Sequence, residues 1–344
     1  MPNLRIICWN IQDVGKDQVD DPDFVSMMVE LIHHHGADLV CILEAKADAG
    51  LHLGDRVQAG LDVKTLKTWR SHSSTKSGPK SSKPEHYIFL WETGVVTNAT
   101  NFRFPTMPAK VGFINTHIKS RFPYMGDFTV NGKTITVIGF HTCFTNVDIV
   151  ESNQNLAQIP EIRGTANVIL MGDFNDKAAA PGERKHRRGR ASFTDLYTLS
   201  ATAAHCYSCP IDVPTSLKEK TSVGGAMTTA AVRLSEYDHF FWRSTGAQLS
   251  APVATVVDVI DDLMSAHYLH DIGKTVYNNW ADRKNVEESK PAMIKRRHRE
   301  KKEPWVDLVP FGAAHAVTTV AEAHKIYRDG ISDHLPIRMV IVVS

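Results

Sequence analysis

Asp127-Phe128-Thr129-Val130-Asn131-Gly132-Lys133-Thr134-Ile135-Thr136-Val137-Ile138-Gly139-Phe140-His141 is the stretch that decides the fold. Asn131-Gly132 is the strongest short-range hairpin signal, because both central residues of the tight turn need φ > 0. The reading is therefore two antiparallel strands, Asp127–Val130 and Lys133–His141. Toward the N-terminus, Leu4–Trp9 and Leu39–Leu43 read as short buried strands. Between them, Phe24, Met27, Met28, Leu31 and Ile32 recur at helical spacing over Asp23–His35, and Gly36 stops the helix. Lys64–Arg70 and His86–Trp91 read as strands joined by a Ser/Lys/Gly/Pro loop. Toward the C-terminus, Asn146–Ile159 reads as a helix and Asn167–Met171 as a strand running into Gly172-Asp173. Tyr237–Trp242 reads as a strand, Ala316–Tyr327 as a helix and Pro336–Val343 as a final strand. Val257 to about Asp307 reads as a charged, mostly helical insertion. The β-α-β start indicates an α/β chain. The hairpin and the excess of strands over helices favour a mixed or antiparallel two-sheet core with outer helices over a doubly wound parallel sheet.

The 344 residues are 42% hydrophobic and 22% charged, which excludes a disordered or collagen-like chain. Leu39–Leu43 and Met339–Val343 are too short to span a bilayer. The first residues, Met1-Pro2-Asn3-Leu4-Arg5, lack the pattern of a secretory signal. Five scattered cysteines argue against a disulfide framework and for a reducing compartment. The expected location is the cytoplasm, with leaderless export as the other route. The net charge of +1 conceals three basic segments: Lys64–Lys83 with six Lys/Arg and no acid, Glu183–Arg190 at +4, and Lys290–Lys302 at +6. Such patches suit a phosphate-rich partner, although solvated loops have the same composition.

Polar residues cluster where apolar strands end. Asn10 ends the first strand, Glu44 the second and His141 the hairpin. Asp173 and Asn175 follow Asn167–Met171, Asp238 starts Tyr237–Trp242, and Asp333 and His334 precede the last strand. Asn10, Glu44 and Asp333 offer hard oxygen ligands suited to Mg²⁺ rather than zinc. Asp173 and Asn175, at i and i+2, point the same way if the backbone stays extended. One can take a proton from water while the other holds an oxygen, and His141 and His334 can stabilise a phosphoryl group. Together they describe metal-assisted phosphoester hydrolysis.

At these residues the chain resembles the endonuclease/exonuclease/phosphatase superfamily, the deoxyribonuclease-I-like fold. The resemblance is carried by Cys8-Trp9-Asn10-Ile11-Gln12, Leu43-Glu44, Gly139-Phe140-His141-Thr142, Leu170-Met171-Gly172-Asp173-Phe174-Asn175, Glu236-Tyr237-Asp238-His239 and Ile331-Ser332-Asp333-His334-Leu335-Pro336-Ile337. It implies a single α/β (α+β) domain over residues 1–344, a four-layer α/β/β/α sandwich of two mostly antiparallel sheets with outer helices, and insertions at about 176–235 and 257–310. It implies a divalent cation, Mg²⁺ or Mn²⁺, on Asn10 and Glu44 with Asp333 in support. Asp173 and Asn175 would activate and orient water. His334, paired with Asp238, would act on phosphate or water, and His141 would face the scissile phosphate. Glu85 resembles the carboxylate that orients the first histidine. Arg121, in Ser120-Arg121-Phe122-Pro123, resembles a phosphate-contacting arginine of the deoxyribonuclease branch.

Superfamily members act on nucleic acids, inositol phosphates and lipid headgroups, and fold does not choose among them. Leu335 speaks against the inositol-phosphate branch, where a basic residue is usual. The sphingomyelinase branch would need an exposed aromatic hairpin, for which Phe102–Pro108 is a candidate. The basic segments, Arg121 and Glu85 favour nucleic acid as partner, and the leading expectation is a Mg²⁺-dependent DNA endonuclease of low sequence specificity. The alternative is a phosphatase or phosphodiesterase acting on a lipid headgroup or small phosphoester. A non-catalytic binder comes third, because the carboxylate/histidine set is present and chemically consistent. His33-His34-His35 reads as a helix end rather than a metal site. Cys206 and Cys209, beside His205, lack the second pair of a structural zinc.

Overall fold

A computed structural model describes residues 3–46, 50–75, 85–105, 122–142, 156, 159–175, 215–217, 237–244, 248–265, 267–300 and 307–344. The strands are β1 (Asn3–Val14), β2 (Leu39–Lys46), β3 (Trp69–Ser73), β4 (Glu85–Glu92), β5 (Val96–Arg103), β6 (Tyr124–Val130), β7 (Lys133–His141), β8 (Asn167–Asp173), β9 (Asp238–Ser244), β10 (Leu249–Val256) and β11 (Ile337–Val343). The helices are α1 (Lys16–Val19), α2 (Pro22–His34), α3 (Gly50–Thr65), α4 (Pro160–Gly164), α5 (Val259–Ser265), α6 (His267–Glu288), α7 (Pro291–Arg299) and α8 (Val320–Gly330). One sheet has the order β10-β11-β1-β2-β4-β3 and the other β5-β6-β7-β8-β9. Within them β1/β2 and β7/β8 are parallel, and every other pair is antiparallel. The α/β sandwich of two mostly antiparallel sheets with outer helices is as expected.

Strand alternation builds the layers. Leu4, Ile6 and Cys8 of β1 join Leu39, Cys41, Tyr87, Phe89, Ile135, Val137, Ile169, Met171 and Phe240 in a core between the two sheets. Ile7, Trp9, Val40 and Ile42 face the other way, into a core shared with α2, α3, α5, α6 and α8. Ile138, Phe140, Val168 and Leu170 form a third core on the far side of the second sheet. At the hairpin, Asn131 and Gly132 have φ of 50° and 71°, as the two-residue turn requires.

Several elements differ from the sequence reading. Lys64 and Thr65 close the helix α3, and the strand begins only at Trp69. The periodicity of α3 is carried by Leu53, Val57 and Leu61 alone, and its three glycines lower helix propensity. Two of them mark close approaches: a Cβ at Gly60 would lie 2.6 Å from Val29 Cγ2, and one at Gly50 2.5 Å from His86 Cβ. Strands β5 and β10, both sheet edges, were not anticipated. The last helix starts at Val320, where Thr319 and Glu322 form a reciprocal capping box. The helical reading of the segment from Val257 is met by α5–α7. Of Asn146–Ile159 only Leu156 and Ile159 are described. Arg121, Cys206, Cys209, Glu183–Arg190 and residues 106–108 of the aromatic segment lie outside the described residues.

Helix α6 is tied to α2 by Asp21. Its carboxylate caps α2 by accepting from the N–H groups of Asp23 and Phe24. It also accepts from Asn279 Nδ2 at 3.1 Å and Arg283 Nη1 at 3.0 Å, both on α6. Asp21→Ala is expected to destabilise the protein by about 2–3 kcal/mol in urea denaturation. A cap contributes roughly 1 kcal/mol, and a hydrogen bond between charged groups roughly 1.5 kcal/mol or more. A loss below about 0.5 kcal/mol would show that α6 docks without it. At the other end of α2, His35 Nε2 lies 2.7 Å from Asp262 Oδ2 on α5, with His34 Nε2 3.7 Å from the same carboxylate. No helix of the described residues is long and apolar enough to cross a membrane.

Candidate active site

The polar strand ends form one end of the core between the sheets. In β4, Tyr87, Phe89 and Trp91 face that core, so Glu85 shares their face. The same alternation puts Asn10 above Cys8, His141 above Val137 and Gly139, Asp173 above Met171, and Asp238 beside Phe240. Glu44 is different. Val40 and Ile42 face the helices, and regular alternation would send Glu44 there too. Between Ile42 and Ala45, however, β2 carries one residue more than β4, and Glu44 takes φ of 65°. This bulge turns Glu44 into the cleft, after which Ala45 faces the helices. Strand β1 is also irregular between Asn10 and Val14, with Gln12 and Asp13 at φ of 47° and 56°. Left-handed backbone at non-glycine residues is costly and concentrates at functional sites.

Asn10, Glu44, Glu85, His141, Asp173, Asp238 and His334 are all buried and linked. Asn10 Nδ2 donates to Glu44 Oε1 and Asp173 Oδ2, both at 3.0 Å. His141 Nδ1 lies 3.0 Å from Glu85 Oε2, and its Nε2 lies 2.9 Å from Glu44 Oε1. His334 Nδ1 lies 2.7 Å from Asp238 Oδ2. Both Nε2 atoms, of His141 and of His334, stand 3.6 Å from the same oxygen, Asp173 Oδ2. Burial raises the Asp173 carboxyl above its usual range, with the Asp238 charge adding to the rise and the two imidazoles opposing it. Burial works against a charged His334, yet Asp238, Asp173 and Asp333 together hold it well above the usual imidazole value.

Asn175 departs from the expected geometry. The backbone is not extended there: Asn175 has φ of 49°. Its N–H donates to Asp173 Oδ1 at 2.8 Å, and its Nδ2 reaches Thr142 O at 3.4 Å. The extended backbone that parallel side chains would need is absent, and the Asn175 N–H fixes one oxygen of Asp173. Asp333 stands at the rim, its buried Oδ1 3.9 Å from His334 Nε2 and without a hydrogen bond among the described residues. Burial raises its carboxyl, and the nearby Glu44 charge adds to the rise. Arg121 lies outside the described residues.

Sequence reasoning missed the supporting residues. Thr215 Oγ1 donates to Asp238 Oδ2 at 2.7 Å and accepts the N–H groups of Tyr237 and Asp238. Nothing in its sequence surroundings marks it. Ser332 Oγ donates to Asn10 O and accepts from His334 N. Tyr327 OH donates to His334 O and accepts from Trp9 Nε1. Tyr87 OH accepts the His141 N–H at 3.2 Å.

A two-sheet sandwich with carboxylate-backed imidazoles around a buried aspartate defines a class of phosphoester hydrolases. The model of the Endonuclease/Exonuclease/phosphatase family matches residues 7–267, and the chain belongs to that family. Asp333 and His334 lie beyond the matched span. No curated protein sequence matches the chain. Among solved structures, it is similar to a mannosyl-6-phosphatase of Bacteroides thetaiotaomicron, at 12% identity over 98% of this chain and 99% of that one, with a TM-score of 0.54. It is also similar to an endonuclease/exonuclease/phosphatase family protein of the same organism, at 13% identity over 100% and 98%, TM-score 0.53. TDP2 of D. rerio complexed with single strand DNA product matches at 12% identity over 99% of each chain, TM-score 0.50. At such identities the likeness is one of fold.

Proposed function

We propose that the chain is a divalent-metal-dependent phosphodiester hydrolase acting on nucleic acid, as a DNA endonuclease of low sequence specificity. The observation that carries the hydrolytic reading is the pair of carboxylate-backed imidazoles, Glu85–His141 and Asp238–His334, meeting on one oxygen of Asp173. Asp173 is the base for water. Asn175 holds its other oxygen and sets its direction. His334, oriented through Nδ1 by Asp238, presents Nε2 to the reacting phosphate. His141, held by Glu85, does the same from the opposite side, using the Nε2 now against Glu44.

Glu44, Asp333 and Asn10 are the residues that would hold the cation. The fit rests on the buried Oδ1 of Asp333, which has no hydrogen bond among the described residues, the neighbouring charge of Glu44 and an all-oxygen donor set. Asn10 fits once its amide turns over, since Nδ2 now faces the carboxylates and Oδ1 accepts from Gln12 N. Bound there, a divalent cation supplies charge neutralisation at a phosphoryl oxygen.

The nucleic-acid reading is supported by the basic segments. Lys64 and Lys67 lie at the end of α3 and before β3, and the run Lys295-Arg296-Arg297-His298-Arg299 lies on α7. A second reading, a small phosphoester, is favoured by the pairing of several of those cations: Lys64 with Glu30, Lys67 with Glu92, Arg296 with Glu300 and Arg297 with Glu288. Supercoiled plasmid incubated at low salt with Mg²⁺ or Mn²⁺ should be nicked, EDTA should stop it, and His141→Ala should abolish it. An intact plasmid beside hydrolysis of a sugar phosphate or phosphocholine ester would replace the first reading with the second.

A further inference from the structure

A cavity of about 420 Å³ adjoins the cation side of the site. Its floor is the left-handed end of β1: Gln12, whose Oε1 accepts from Asp333 N at 3.2 Å, and Asp13, whose N–H donates to Glu44 Oε2 at 3.1 Å. Its wall is one face of the insertion helix α6, where Trp280, Arg283, Lys284 and Glu287 follow the i, i+3, i+4, i+7 spacing of a single helix face. Arg328 of α8 closes the side. The anchoring of the segment that follows α7 uses other positions of α6. Asn278 exchanges two hydrogen bonds with the backbone of Phe311, and Asn285 does the same with Leu308. The cavity face is therefore not needed to anchor the 307–315 segment.

The lining chemistry is specific. Four cations (Lys46, Arg283, Lys284, Arg328) stand against four acids (Asp13, Asp17, Glu287, Asp329), so the cavity does not suit a bare polyphosphate. It suits a group carrying both donors and acceptors. Arg283 and Arg328 line it with their guanidinium groups fixed in place, Arg283 Nη1 on Asp21 at 3.0 Å and Arg328 Nη1 on Asp329 at 2.8 Å. Trp280 adds a half-buried aromatic face, on which a base can stack. The volume lies within the range of small-ligand sites.

We infer that this cavity receives one nucleoside unit of the substrate, its base on Trp280 and its polar edge toward Arg283 and Arg328, next to the phosphate that the cation site of Glu44 and Asp333 would take. The inference rests on the nucleic-acid reading and adds a demand to it. A base can enter only when it is out of a duplex stack, so single strands, ends or frayed sites are taken in preference to intact duplex.

The test uses two activated diesters and one binding probe. Wild type should hydrolyse the p-nitrophenyl ester of thymidine 5′-phosphate with a kcat/KM at least about tenfold above bis(p-nitrophenyl) phosphate, which has no nucleoside. Trp280→Leu, which keeps apolar bulk beside Tyr277, should raise KM for the nucleotidyl ester about tenfold, in line with the loss of one stacking contact. It should leave the bis-aryl ester within twofold. In EDTA, where no turnover is needed, fluorescein-labelled (dT)5 should bind Trp280→Leu about tenfold more weakly than wild type. Lys284→Glu, at a half-buried position on the same face where Lys284 pairs with Glu287, carries the same comparison if the tryptophan variant does not fold. Equal losses on both esters, or unchanged (dT)5 binding in both variants, would overturn the cavity assignment while plasmid nicking left the endonuclease reading standing. Hydrolysis of the bis-aryl ester alone, with no (dT)5 bound by wild type, would overturn both.

Discussion

Asparagine at position 173 is expected to lower kcat on plasmid DNA by about 10³-fold, inside the range assigned to a positioned general base. The substitution keeps the side chain's volume and its acceptor for the Asn175 N–H. It removes the charge on which both imidazoles converge. Stability should change by less than about 2 kcal/mol, because one buried anion is lost while His141 keeps Glu44 and Glu85 and His334 keeps Asp238. The check is turnover and thermal unfolding on the same preparation. A kcat within tenfold of wild type, with the fold intact, would remove Asp173 from the chemistry and leave the water to His334.

Alanine at Gly172 is expected to cost more than about 3 kcal/mol, the sum of backbone strain and a clash with no soft partner. Gly172 has φ of 152°. A Cβ there would overlap Phe140 O and lie 2.7 Å from that carbonyl carbon. Both are main-chain atoms of β7, the strand whose parallel pairing with β8 sets His141 opposite Asp173. They cannot move without opening that ladder. Gly132 is the internal comparison: its φ is also positive, 71°, but a Cβ there meets nothing within 4 Å. Gly132→Ala should cost only about 1–2 kcal/mol, the strain of a left-handed L-residue. Equilibrium urea denaturation of the two variants separates clash from strain, and similar midpoints for both would contradict the argument.

The fold was legible wherever a strand is buried on at least one side. β1, β2, β4, β7, β8 and β11 are apolar runs with a polar residue at the end, and the hairpin turn announces its own geometry. Two of the edge strands were not legible. β5, with Thr97, Asn98, Thr100 and Asn101, is mostly exposed or half-buried. β10 carries Pro252, which a sequence reading takes as evidence against a strand. Helix α3 was hidden by glycines whose purpose, close packing on α2 and β4, exists only in three dimensions. The site residues were legible as residue types at strand ends, but their directions were not. Asn175 was expected to run parallel to Asp173 if the backbone stayed extended; the backbone turns at Asn175, whose N–H bonds Asp173. Thr215 sits where no local pattern points to Asp238.

Glu44 reaches the cleft only because β2 counts one residue more than β4 across Leu43–Ala45. The strand is thus two reading frames joined at one point. Ahead of the join, odd-numbered residues line the space between the sheets; after it, Ala45 has crossed to the helix side. Replacing a residue on either side alters one contact. Inserting one between Glu44 and Ala45 would restore a uniform frame, send Glu44 toward the helix side, and leave His141 facing a different side chain. For this segment, length is under tighter constraint than identity. Descendants of this chain can exchange the letters of β2 far more freely than they can change their number.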